Sequence, residues 1–121
     1  MDTLCVTQNQ AARWQADTLL LSKNTCATLL GYAIAQPHRP KAGTQTAFQV
    51  SVTALDVLRV IANATGAAGP DTDCRAMGLF YPAFRGLGAT SGEALALRTA
   101  LLDARTQLHP ALTLSPGCPI H

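Results

Sequence analysis

The densest apolar pattern in the chain runs from Val50 to Gly66, and the other elements are read around it. Ala54, Leu55, Leu58, Ile61, Ala62 and Thr65 recur on one face of a helix read from Thr53, the spacing that 3.6 residues per turn requires. Val57 and Val60 add a second apolar face, and only Asp56 and Arg59 are charged. A helix apolar most of the way round belongs inside a domain, packed on several sides. Thr53 with Asp56 three residues on resembles a capping box, and Gly66 supplies the residue that ends such a helix. Just before it, Phe48, Val50 and Val52 alternate with Gln49 and Ser51, which is a strand pattern.

Three further helices follow from the same reading. From Thr7 to Ser22, Ala12, Ala16, Leu19 and Leu20 form a helical stripe with Trp14 at its edge, and Thr7 is the expected cap. From Cys26 to Ile34, Cys26, Leu29, Leu30, Ala33 and Ile34 repeat at helical spacing, with Asn24 as the cap and Pro37 as the stop. Gly31 inside that segment costs about 1 kcal/mol relative to Ala, so it either permits close packing or marks a strand. The clearest helix begins at Thr90-Ser91-Gly92-Glu93, a capping box, and carries Ala94, Leu97, Leu101, Ala104 and Leu108 inward until Pro110.

Between these lie a Pro-rich loop, residues 37–46, holding His38, Arg39 and Lys41, and a turn at 67–73. A short helix then carries Cys74, Met77 and Leu79 or Phe80 and is interrupted by Pro82. Tyr81, Phe84 and Leu87 concentrate bulk in a glycine-bounded stretch that reads as a lid or groove wall. The segment from about 110 onward, with Pro116 and Pro119, is expected to be extended. The fold expected is therefore all-α, one domain over residues 1–121 built as a bundle of four to five helices. The alternative is α+β, with a short strand near Phe48–Val52.

Composition narrows the function classes. Only 13% of residues are charged and 48% are hydrophobic, enough for a real core and too little charge for intrinsic disorder. A net charge of +2 lacks the basic stripe of a nucleic-acid binder. No uninterrupted apolar run approaches the ~20 residues of a membrane span, and no basic-then-apolar leader opens the sequence. These features predict a cytoplasmic protein without nucleic-acid or membrane partners. Its four cysteines, Cys5, Cys26, Cys74 and Cys118, are then expected as free thiols.

No P-loop, GxGxxG, GxSxG or HExxH pattern is present. Cys118 and His121 are the one pair at local ligand spacing, and a structural zinc site needs about four ligands, so no metal and no cofactor is expected. Asp56 is the one carboxylate on an apolar helix, suited either to an ion pair with Arg59 or another Arg, or to a pocket. The leading expectation is a small, non-enzymatic interaction or regulatory module acting by protein–protein contact, self-association included. Its candidate contact residues are Trp14, Tyr81, Phe84, Arg85 and Leu101. The alternatives are a small-molecule-binding helical domain with a pocket near Tyr81–Leu87, and a Cys/His metal-binding or catalytic protein.

Overall fold

The computed structural model describes residues 2–120. Three strands, β1 (Asp2–Val6), β2 (Ala12–Gln15) and β3 (Thr18–Ser22), precede four helices, α1 (Lys23–Ile34), α2 (Gln45–Ala64), α3 (Pro70–Gly86) and α4 (Ser91–Asp103), and a 3₁₀ turn at Arg105–Gln107. The fold is thus mixed α+β and not the all-α bundle expected. The sheet also lies elsewhere than the strand alternative placed it, because Phe48–Val52 belongs to α2.

The N-terminal helix expected over Thr7–Ser22 is instead a β2–β3 hairpin. Ala16 and Asp17 both take positive φ, 51° and 62°, the two-residue turn whose twist matches paired strands. Trp14 pairs with Leu19 and Ala12 with Leu21, so the apolar residues of both strands share the face turned toward α2, where Leu19, Leu21 and Val57 are buried together. β1 adds in parallel to β3 on the other side, Thr3 opposite Leu19 and Cys5 opposite Leu21, giving the order β1-β3-β2.

α2 is the central helix, as its all-round apolarity requires. It is 20 residues long, starting at the Thr44 cap whose hydroxyl accepts from the Ala47 amide, nine residues before the start expected at Thr53. It is long and apolar enough to cross a membrane by those criteria alone, and here its apolar faces pack on neighbouring elements. Leu55, Met77, Phe80, Phe84 and Leu101 are the largest fully buried side chains, so the main core joins α2, α3 and α4. Tyr32 enters it edge-on to Phe84, ring centroids 5.3 Å apart.

α3 runs through Pro82 instead of being interrupted there. Proline removes one amide donor from the helix interior, but Pro82 sits on the exposed side while Phe80 and Phe84 on either side of it are wholly buried. α4 keeps its capping box: the Glu93 amide donates to Thr90 Oγ1 at 3.1 Å and the Thr90 amide to Glu93 Oε1 at 2.8 Å. Its helical hydrogen bonding stops at Asp103, before Pro110, although Leu108 is still buried.

The cysteines are paired, contrary to the free thiols expected. Cys5 joins Cys26, and Cys74 joins Cys118. The first bridge ties β1 to α1. The second draws the C-terminal segment onto α3, where Leu112 and Cys118 are buried. The Asp73 carboxylate holds that segment too, accepting from the Thr113 amide at 2.8 Å while bridging to Arg59 at 2.8 Å. Arg59 also donates to the carbonyls of Pro110 and Ala111.

Candidate functional site

α1 is the element whose sequence pattern and burial disagree, and the disagreement marks the candidate interaction surface. Ser22, not Asn24, caps it, with the Ser22 hydroxyl accepting from the Thr25 amide. The Cys5–Cys26 bridge and the insertion of Tyr32 into the core fix its rotation. Thr25 and Tyr32 are buried, and Leu29 is half-buried between them. The other half of the apolar stripe therefore points outward. Leu30 is 60% exposed and Ile34 71% exposed, and Ala27 and Gly31 beside them are exposed as well. No charged residue lies between Asn24 and Ile34.

Gly31 sharpens the reading. A Cβ built there meets no atom within 4 Å, so its smallness serves no packing inside the chain. It leaves a shallow, side-chain-free step between Leu30 and Ile34 on an exposed helix face.

Beyond α1 the chain is tied down by a polar knot. Arg39, its side chain 5% exposed, reaches Glu93 through two hydrogen bonds, 2.7 and 3.2 Å, and stacks over the Tyr32 ring at 5.9 Å. The guanidinium and the Thr90 amide together hold the Glu93 carboxyl down at about 2. Burial raises the Tyr32 phenol above its ordinary value. This knot ties the loop after α1 to the N-terminus of α4, so residues 37–46 are not the free basic loop their composition suggests.

The contact residues expected from sequence are dispersed and do not form one site. Trp14 is half-buried against the Leu19–Leu21–Val57 cluster. Phe84 is wholly buried in the core, so it cannot wall a lid, and the Tyr81 hydroxyl bonds the Ser91 hydroxyl at 2.6 Å. Arg85 is exposed and donates to the Ala89 carbonyl within its own turn. Leu101 is 1% exposed and floors a cavity of about 280 Å³ between α2 and α4, with Phe48 and Leu97.

The metal pair is removed on one side: Cys118 is buried in a disulfide and offers no thiolate, while His121 lies outside the described residues. Among the described residues no three or more His, Cys, Asp or Glu side chains converge as a metal site. No protein-family model, curated protein or solved structure matches the chain.

The sequence pattern showed the α1 stripe but not which of its residues face the core. The signal available was Tyr32, which lies off the stripe. A residue of that size takes the inward position and turns the smaller Leu30 and Ile34 out.

Proposed function

We propose that this chain is a disulfide-braced, non-enzymatic interaction module, that it acts by protein–protein contact through α1, and that a second copy of the chain is a partner. The observation that carries this is the exposure of Leu30 and Ile34 on a helix face without a charged side chain from Asn24 to Ile34. Leaving such side chains in water forgoes the roughly 25 cal/mol per Å² that burial returns. Gly31 supports the same reading. A glycine inside an exposed helix costs about 1 kcal/mol relative to Ala and is explained by the close approach of a second helix, since nothing within the chain approaches it. The stretch of this face from Ala27 to Ile34 has no charge to repel its own copy, Lys23 lying a turn before it, and a two-fold axis across that stretch would set Gly31 against Gly31 with Leu30 and Ile34 on the flanks.

One 12-residue helix offers less area than a standard interface, so the association is weak and concentration-dependent. Two disulfides persist best in an oxidising compartment. They support a location outside the cytoplasm over the cytoplasmic one expected from composition.

Sedimentation equilibrium from ~10 μM to ~1 mM tests the proposal, a range that brackets association free energies of about −4 to −7 kcal/mol. The mass should rise toward that of a dimer, and Leu30→Glu with Ile34→Glu should keep the chain monomeric with unchanged circular dichroism. A wild-type chain still monomeric at the top of that range overturns self-association through α1.

A further inference from the structure

The second feature that the fold does not use for itself is Asp56. Its neighbour one turn on, Arg59, is committed to Asp73. Among the described residues the ion pairs are Arg39–Glu93 and Arg59–Asp73, and neither includes Asp56. The carboxylate instead lines a cleft of about 500 Å³ between the β1–β2 loop, the start of α1 and the middle of α2, a volume ordinary for small-ligand sites. Most of the other residues that line it are polar, with Gln8, Asn9, Asn24, Thr25 and Thr53 contributing amides and hydroxyls beside apolar surface. Burial raises the Asp56 carboxyl above its ordinary value, with Arg59 only partly opposing it. A charge kept half-desolvated without a partner is a cost to the fold.

The cleft is also held in shape. Gln8 donates to the carbonyls of Gln10 and Leu20 at 2.9 and 3.0 Å, and its own carbonyl accepts from Arg13 at 2.8 Å. Ser22 and Thr25 hydroxyls bond each other at 2.9 Å. The Cys5–Cys26 bridge anchors the strand that leads into the loop against the helix that forms the opposite wall. A preorganised wall loses little entropy when a ligand arrives.

We propose that this cleft binds a small organic cation, an alkylammonium or guanidinium, with Asp56 as its counter-ion and the side chains of Asn9, Asn24 and Thr53 as hydrogen-bond partners. The chemistry follows from what the cleft lacks and offers: one negative charge without a mate, in surroundings rich in neutral acceptors. Lys23 is the one cationic residue on the rim. It is not ion-paired with Asp56, and it limits the site to a cation that enters on the Asp56 side. The site is separate from the apolar half of α1 and stands whether or not the chain self-associates.

Putrescine and agmatine, titrated into the isotopically labelled full chain and followed by amide chemical shifts, test the proposal, with succinate as the anionic control. Saturating shifts confined to Gln8–Ala11, Lys23–Thr25 and Thr53–Asp56 are expected for the two cations and not for succinate. Asp56→Asn should weaken both by about 10- to 100-fold, the range for loss of one charge-assisted hydrogen bond, while leaving the remaining spectrum in place. Lys23→Ala should leave binding intact or tighten it. Binding should also fade as pH drops through the titration of Asp56, which burial biases toward the neutral form with Arg59 on α2 partly opposing, Lys23 on α1 being the other charged group at the cleft. Shifts that fail to saturate by ~20 mM, that match those of succinate, or that survive unchanged in the Asp56→Asn variant overturn it.

Discussion

Replacing Cys74 and Cys118 with alanine is the perturbation whose size the structure predicts most directly. The bridge closes a loop with a sequence separation of 44, against 21 for Cys5–Cys26. Loop closure removes entropy from the unfolded chain in proportion to the logarithm of loop length, which gives about 4 kcal/mol for the longer loop and about 3.3 kcal/mol for the shorter. Cys118 is also buried at 4% exposure while Cys5 is exposed, so alanine at 118 loses packing as well, adding about 1 kcal/mol. The ordering is therefore C74A/C118A worse than C5A/C26A, by about 5 against about 3 kcal/mol. Domains of this size have only about 5–15 kcal/mol in total.

Urea titrations of the two double variants measure both values. The slope of free energy against urea should rise in each, because an unbridged unfolded chain exposes more surface. A thiol assay on the unreduced, denatured wild type should find no free thiols. A C74A/C118A variant that loses less than C5A/C26A would refute the loop argument, and free thiols in the wild type would refute the pairing itself.

Two further outcomes follow from the polar contacts. Glu93 is held at about 2 in the folded chain against an ordinary 4.5, so the unfolded state binds the proton first as pH falls. Its contribution is complete above about 4.5 and is lost as pH approaches 2. Urea midpoints of wild type and Glu93→Gln should thus converge between pH 6 and pH 2, and a gap independent of pH would show that Arg39–Glu93 is not the cause. Asp73→Asn should cost about 2–3 kcal/mol, because it leaves the 14%-exposed Arg59 without its charge partner and weakens the Thr113 contact. Hydrogen exchange at the Thr113 amide should accelerate more than at α4 amides, and equal acceleration would mean that Asp73 does not pin the C-terminal segment.

What the sequence made legible was whatever local chemistry decides. The Thr90–Glu93 box is a four-residue motif whose two hydrogen bonds close on themselves, and α4 starts where it says. The all-round apolarity of residues 54–62 marked the central helix, because no other environment accommodates it. The strands were hidden by Leu20. It sits on the outer sheet face between the inward Leu19 and Leu21 and turns an alternating pattern into an apolar run that also fits a helix. The Ala16–Asp17 turn lacks the Asn-Gly or Asp-Gly signature of a tight hairpin, so nothing local announced it. The disulfides were missed because the free-thiol expectation rested on the cytoplasmic reading, and the sequence offered nothing to say which cysteines meet. Four cysteines allow three pairings, and the choice depends on which elements meet in space. Asp56 was legible as an anomaly, but its release from Arg59 depends on Asp73 lying across the α2–α3 interface, 14 residues away along the chain.

The two bridges also divide the chain into segments that respond differently to mechanical load. Cys5–Cys26 and Cys74–Cys118 act as covalent short-circuits, so a pull applied outside them bypasses the hairpin, most of α3 and all of α4. Only residues 27–73 can pay out, about 160 Å when fully extended at ~3.4 Å per residue. Tension would therefore concentrate on α1 and α2. The outward face of α1 would be distorted before the bridged segments bore load, so a contact made through Leu30 and Ile34 would be among the first to let go.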